Sequence, residues 1–435
     1  MQRRAFLRKT ASGLFLAGAA PFVLGQQPSR YKAALIGCGW WGKNILREAI
    51  ASGRVKVVGL CDVDASGLEV SAEQITEASG DAPKIYKHHR ELLEKEKPDI
   101  VVIASPDHWH ALHTIDSLKA GAHVFVEKPT GHTVNESRAM LRASRDAGRV
   151  VQVGLHRRIG PHHVSGLKFL KDGGAGKIGH VRMFVAGGGG PEKPTPNSAP
   201  PKGMNWDLYC GPAPLRPFCT RIHPGGFRNF LDFANGTLGD WGVHWIDQVL
   251  AWTEETHPRR VFSSGGRPVR GPAVLNEKEQ TSDAPDHQVA TFEFETFTAT
   301  WEHRSFAGKG PEKHGVGCYF YGSKGVFHMG WRDGWTFYPA DGKQAPVHEA
   351  SQLQEPDGHN LKLLWADFLD AVETKRRPVA GIEAAHRSTT AVLLAMASLK
   401  AGRSVVWDGA KAAVVGDPEI ETHLRRKYRE PWTYP

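Results

Sequence analysis

A few short stretches of this 435-residue chain combine residue types and spacings that can do chemistry. The first is Gly37-Cys38-Gly39-Trp40-Trp41-Gly42, a G-x-G-x-x-G loop between an apolar run and a helical pattern. Glycines there let the backbone turn tightly and approach a pyrophosphate. The helix that follows turns unpaired N–H groups toward phosphate. Asp62 lies 20 residues after Gly42, at the end of the next apolar run. A carboxylate there accepts hydrogen bonds from an adenosine ribose diol and repels a 2′-phosphate, which favours NAD, with NADP as the second choice. The plainer reading is a tight strand-to-helix turn without a ligand.

Three further stretches sit where side chains can face a cleft. "ASPDHWHALH", Ala104 to His113, follows an apolar strand, at the end of a parallel sheet where ligands bind. His108, His110 and His113 invite a metal, but no carboxylate shares their helix face. Polar lining or capping is expected instead, and no metal. "VFVEKPT", Val124 to Thr130, ends another apolar strand in Glu127 and Lys128. Charges there must pair or face the cleft. The lysine either hydrogen-bonds a substrate hydroxyl and favours its deprotonation, or forms a structural pair with Glu127. "GDWGVHWIDQVLAW", Gly239 to Trp252, reads as a helix on which Asp240 and His244 are four apart and neighbours. One reading is a histidine oriented by a carboxylate to accept a proton. The other is a helix end capped by Asp240 beside a satisfied histidine. Spacing alone leaves the two even.

These stretches need a scaffold, and the chain supplies one. Strand-like runs "YKAALI", "VKVVGLCD", "PDIVVIAS", "GAHVFVEKP" and "RVVQVGL" alternate with helical patterns such as "KNILREAIAS", "HALHTIDSLKA" and "NESRAMLRASRDAG". Strands apolar throughout, alternating with helices, predict a doubly wound parallel sheet of Rossmann type. Past residue 155 a Gly/Pro-rich loop appears, then "HQVATFEFETFTATWEHRS" and "GVGCYFYGSKGVFHMGW", which alternate like hairpins. Two long helical patterns close the chain. The expected architecture is α/β followed by α+β: residues 29–154 form the dinucleotide domain and 155–435 a domain with a large open mixed or antiparallel sheet.

Composition excludes some classes of function. Arg3, Arg4, Arg8 and Lys9 supply four of the formal charge of +9, and the remaining +5 is too diffuse for a nucleic-acid face. The basic run "LRRKYR" near the C-terminus reads as a solvated helix face. Five cysteines without a CxxC pair do not make a disulfide framework, and Cys38 and Cys61 read as buried thiols. Twin arginines, Phe6-Leu7 and an apolar segment from Leu14 to Leu24 match a twin-arginine export signal over residues 1–28, cleaved near Gly25. Export to the periplasm or another extracytoplasmic compartment is expected, with no membrane span after signal removal.

Together the glycine loop, Ser105-Pro106 followed by His110, Glu127-Lys128-Pro129 and Asp240-x-x-x-His244 resemble the Gfo/Idh/MocA oxidoreductase family. The resemblance spans nearly the whole chain after the leader. "NWDLYCGPAP", "DGWTFYP" and "PVAGIEAAHRS" look like its exported, sugar-related branch. It implies NAD(P)-linked chemistry on a hydroxyl of a sugar or polyol, and a homo-oligomer joined through the open sheet. It implies that Gly37, Gly39, Trp41, Gly42, Asp62, Ser105, His110, Glu127 and Lys128 serve the cofactor. Lys128 touches the reacting hydroxyl, His244 acts as acid/base, and Asp240 positions substrate or histidine. Arg157 and Arg158 match a substrate-facing stretch, although His156 stands where some members have glutamine. Trp206, His223 and Arg228 are further sugar contacts.

An exported dinucleotide enzyme meets no free NAD outside the cytoplasm. Twin-arginine export carries folded proteins, so the cofactor is expected to be loaded inside, held tightly and recycled. The cycle is then redox-neutral: one sugar oxidised and another reduced, or a glycoside cleaved through transient sugar oxidation. The rival from another class is a non-catalytic binder of sugar or dinucleotide.

Overall fold

The computed structural model describes residues 30–353 and 355–435, so the expected export signal lies outside the described residues. The first sheet has six strands: β1 (Tyr31–Ile36), β2 (Val55–Cys61), β3 (Lys84–Tyr86), β4 (Ile100–Ile103), β5 (His123–Val126) and β6 (Val151–Val153). Their order is β3-β2-β1-β4-β5-β6, and every neighbouring pair is parallel. All four residues of β4 are fully buried, because helices cover both faces of such a sheet. Those helices include α1 (Trp40–Ala51), α2 (Ala65–Ser79), α3 (His89–Glu96), α4 (His110–Lys119) and α5 (Val134–Ala147). The strand order reverses between β1 and β4, and the carboxyl ends of those strands open the crevice where such folds bind ligands.

After α6 (Pro161–Lys171) and β7 (Ile178–Ala186) comes the expected irregular stretch. It carries only the two-residue β8 (Thr195–Pro196), paired with β10 (Glu279–Gln280), and the short α7 (Trp206–Cys210). A π-helical turn, Leu238–Gly242, leads into α8 (Val243–Trp252). The second sheet has ten strands. It adds β9 (Arg260–Gly266), β11 (His287–Glu293), β12 (Thr298–Arg304), β13 (Val316–Gly322), β14 (Gly325–Gly330), β15 (Trp335–Pro339), β16 (Val347–Glu349), β17 (Val405–Asp408) and β18 (Ala413–Val414). It is mixed: β7 and β12 are parallel and the other pairs antiparallel. Burial alternates residue by residue along β11 and β12, so one face is core and the other is open.

The closing helices α9 (Pro356–Thr374) and α10 (Ile382–Ala401) tie the two sheets together. Trp365 and Phe368 of α9 pack against Phe125 of β5, while α10 packs on α5, α8 and β9. Among the described residues no helix is long and apolar enough to cross a membrane. All five cysteines are buried free thiols.

The run "LRRKYR" departs from expectation. It is neither helical nor a solvated face: α11 ends at Thr422, and Arg426 and Tyr428 turn inward. Arg426 Nε (2.8 Å) and the Tyr428 hydroxyl (2.7 Å) both donate to Oε1 of Glu136, which is fully buried. The other oxygen of Glu136 closes the capping box of α5. A buried carboxylate needs that full set of donors, and this one recruits the basic tail.

Candidate active site

The strand ends and loops of the first sheet, with loops and helices of the second domain, line a cavity of about 510 Å³. Its first wall is backbone. Gly37 has φ +94°, and a Cβ there would stand 2.6 Å from the Ala104 carbonyl carbon. A Cβ on Gly42 would stand 2.2 Å from the Gly37 carbonyl oxygen, so Gly42 serves the turn without lining the cavity. At Gly39 a Cβ would meet nothing within 4 Å, and the backbone borders open space. Gly39 caps α1 without a side-chain partner for its first N–H groups, and Trp41 lines the same wall. Asp62 accepts the Cys38 N–H (2.7 Å) and the Asp64 N–H (3.0 Å). One lone pair on each oxygen is left for further donors. Open backbone at Gly39, free helix amides and a carboxylate at the strand end fit a dinucleotide.

The middle wall carries the histidine-rich stretch. Ser105 Oγ bonds His113 Nδ1 (2.9 Å), and the His110 ring bridges the carbonyls of Ser105 and Pro129, both at 2.8 Å. His108 Nε2 bonds the Tyr209 carbonyl. All three rings bond protein partners, and of the three His110 and His113 line the cavity. Burial lowers the proton affinity of all three. Away from the cavity, ligand-type atoms of His314, His328 and Asp333 lie within 4.8 Å of one another, a grouping that no local motif announces.

Lys128 pairs with Asp240, not with the adjacent Glu127, which corrects the reading of a local Glu–Lys pair. Its Nζ donates to the Asp240 carbonyl (3.0 Å) and to Oδ1, and Arg228 Nε donates to the same Oδ1 (3.1 Å). Burial pushes the Asp240 carboxyl up, but the two cations overcome it and hold it at about 2. Glu127 caps the Lys128 N–H through Oε2.

Asp240 does not orient His244, and it does not act as a simple helix cap. It lies in the π turn with its carboxylate drawn to Lys128 and Arg228, while His244 Nδ1 is buried and has no partner among the described residues. Burial, reinforced by Arg157 and Lys128, holds the His244 ring well below its ordinary range, so it stays neutral. A carboxylate–histidine pair beside His244 is formed by other residues. Asp357 accepts from His156 Nε2 (2.9 Å) and from Trp331 Nε1 (3.0 Å), and the His156 and His244 rings lie 5.0 Å apart.

Of the expected sugar contacts, Arg157, His223 and Arg228 line the cavity. Arg157 lies over the faces of Trp245 (4.2 Å) and Trp241 (5.7 Å), and burial lowers its affinity for protons to about 10. Two expectations are corrected. Arg158 is locked bidentately on Asp247 at 2.7 and 2.8 Å and does not reach the cavity. Trp206 stacks on Tyr209 and donates to the Arg216 carbonyl in a separate aromatic core. Trp241 and Trp331, 5.1 Å apart, supply the aromatic surface instead. Asp107, His156 and Asp357 also line the cavity and were not anticipated. Asp107 lies inside a stretch read for its histidines, and Asp357 opens a helix 201 residues from its partner.

Residues 31–155 match the family model described as "Oxidoreductase family, NAD-binding Rossmann fold". Residues 187–264 and 343–434 match its companion, "Oxidoreductase family, C-terminal alpha/beta domain". A "Glycosyl hydrolase family 109 protein" of Stenotrophomonas maltophilia is 31% identical over 159 residues, 34% of each chain. A "D-glucoside 3-dehydrogenase" of Escherichia coli is 33% identical over 104 residues, 24% of this chain and 28% of that one. The match thus spans about a third of these curated relatives. Among solved structures, levoglucosan dehydrogenase complexed with NADH and levoglucosan superposes with a TM-score of 0.66 at 18% identity, covering 87% of this chain and 99% of that one. Aldose-aldose oxidoreductase of Caulobacter crescentus gives 0.62 at 19% identity, with the same coverage. At such identities the likeness is one of fold.

Proposed function

The chain belongs to the Gfo/Idh/MocA family of NAD-binding oxidoreductases, and from that premise we propose that it oxidises and reduces a hydroxyl of a sugar or polyol. The observation that carries this reading is the Lys128 ammonium in the cavity wall. It has three N–H donors, and two are spent on Asp240. The third is free for a substrate oxygen, and the charge beside that oxygen favours loss of its proton. The neutral His244 ring offers a lone pair to the same hydroxyl. Arg157, His223 and Arg228 hydrogen-bond the remaining hydroxyls, and the Trp241–Trp331 corner takes the apolar face of the ring.

Gly37, Gly39, Trp41 and Asp62 would hold the dinucleotide, which when bound supplies the acceptor and donor of hydride. The Asp62 carboxylate supports NAD over NADP. The twin-arginine pattern of residues 1–28 supports export of a protein already folded around its cofactor. We propose a redox-neutral cycle on that ground, and a homo-oligomer through the open sheet face. The likeness to glycosyl hydrolase relatives over a third of their length favours one second reading, glycoside cleavage through transient oxidation.

The test offers the mature protein methyl β-D-glucopyranoside alone, then with a second sugar as oxidant, and follows NADH and free monosaccharide. NADH in the first mixture and turnover in the second support the oxidoreductase. Monosaccharide release without net NADH supports glycoside cleavage. Neither change across a panel of aldoses, polyols and glycosides contradicts both.

A further inference from the structure

The cavity holds two carboxyl groups in opposite settings. Asp240 is gripped by Lys128 and Arg228 and stays ionised. Asp107 opens the single-turn helix Asp107–Trp109 at the end of β4, is 4% exposed, and lines the same cavity. Among the described residues it has no ion-pair partner, and no other residue donates a hydrogen bond to its carboxyl. The charged and titratable groups that face it are Arg228, Lys128, Asp240 and the Tyr209 phenol.

Burial dominates there. It raises the Asp107 carboxyl to about 7, against the pull of Arg228 and Lys128 and with a push from Asp240. A group that gains and loses a proton near neutral pH suits proton transfer best, and two carboxyls driven apart by their surroundings divide such work. The other groups in reach do not suit it. Asp240 is too acidic, and the His244 imidazolium is disfavoured by burial and two neighbouring cations.

We propose that Asp107 is the group that takes the hydroxyl proton of the substrate in oxidation and returns it in reduction, a role that rests on the oxidoreductase reading above. In oxidation the O–H bond breaks and its electron pair closes the C=O bond. The proton ends on a carboxylate oxygen of Asp107, passed directly or through the His244 ring that lines the same cavity. The carbon would be oxidised by giving its hydride to the dinucleotide that the glycine-loop wall would hold, which would be reduced in turn. Reduction of a second carbonyl reverses each transfer, so a redox-neutral cycle returns Asp107 to its starting state without a proton from solvent.

The test compares wild type, Asp107→Asn and Asp107→Glu by two readouts. The first is an infrared pH titration of the protein with NADH bound. Wild type is expected to show a protonated-carboxyl stretch that disappears near pH 7, and Asp107→Asn to lack it. The second is the pH dependence of hydride transfer from methyl β-D-glucopyranoside. Wild-type oxidation is expected to rise with pH through the same midpoint. Asp107→Asn should fall at least about 100-fold and lose that limb, Asp107→Glu should restore part of both, and NADH affinity should stay within about threefold. A band that persists in Asp107→Asn overturns the proposal. So does a slower variant with the limb intact, or a loss of NADH affinity that matches the loss of rate and marks a cofactor contact only. If wild type oxidises no glucoside while the band titrates and vanishes in the variant, the substrate reading has failed and the Asp107 proton site stands.

Discussion

Two neighbouring parts of the cavity wall treat charge in opposite ways. On one side Lys128 and Arg228 both pair with the Asp240 carboxylate. On the other, Arg157 is buried against two tryptophan faces, and among the described residues its Nε and Nη1 have no partner. The contrast is sharper within one dipeptide, because Arg158 is bonded bidentately to Asp247, which also accepts from Ser388. Paired charges hold the wall in place. Unpaired ones keep a field pointed at whatever enters. Buried unpaired charge is costly, so its presence in a cavity marks where the molecule spends stability on function.

The comparison can be broken by substitution. The largest effect is expected from Lys128→Met, which removes the ammonium paired to Asp240. Hydride transfer should drop by at least about 100-fold while NADH affinity changes less than about threefold, read by stopped-flow and fluorescence titration. An unchanged rate ends the role assigned to Lys128. Next, Arg158→Met strands Asp247, which is 1% exposed, and should cost about 3–5 kcal/mol in chemical denaturation. Arg157→Met strands no carboxylate and should change stability by less than about 1 kcal/mol, while it weakens sugar binding. Equal losses in the two variants would erase the distinction between the walls.

Acid sharpens the same contrast at a smaller scale. Asp240 is lowered from 3.8 to about 2 in the folded state, because its two cations outweigh burial. A depressed carboxyl stabilises the fold fully above its unfolded value and loses that contribution as pH falls through the folded value. Stability should therefore decline by about 2 kcal/mol between about pH 5 and pH 2, and Lys128→Met should flatten that slope. The smallest effect is expected from Asp62→Ala. The preference for NAD over NADP should fall by about tenfold, the worth of a hydrogen bond to a charged group, as read from the two affinities.

The dinucleotide wall is legible in the sequence because local backbone makes it. Gly37, Gly39, Gly42 and Asp62 lie within one β-turn-α-β unit, where glycine conformation and spacing carry the information. The parallel sheet is legible for the same reason, since runs such as Ile100–Ile103 are apolar on both faces. The second wall is assembled from distant segments. The four-residue spacing of Asp240 and His244 suggested a pair, but stronger partners from other segments took the carboxylate. His156 and Asp357 meet only because α9 returns to the first sheet. Trp206 and Trp241 look equally suited to a sugar in sequence, and tertiary packing alone separates them. The basic tail has the same origin: nothing local in "LRRKYR" announces a buried glutamate 290 residues away.

The central claim is that this cavity keeps a dinucleotide bound and recycles it. The direct measurement is to purify the mature protein without added cofactor, denature it in acid, and assay the supernatant for NAD(H) and NADP(H). Close to one equivalent of NAD(H) per chain is the result this account predicts. A protein that releases none, and then binds no NADH on titration, would contradict it.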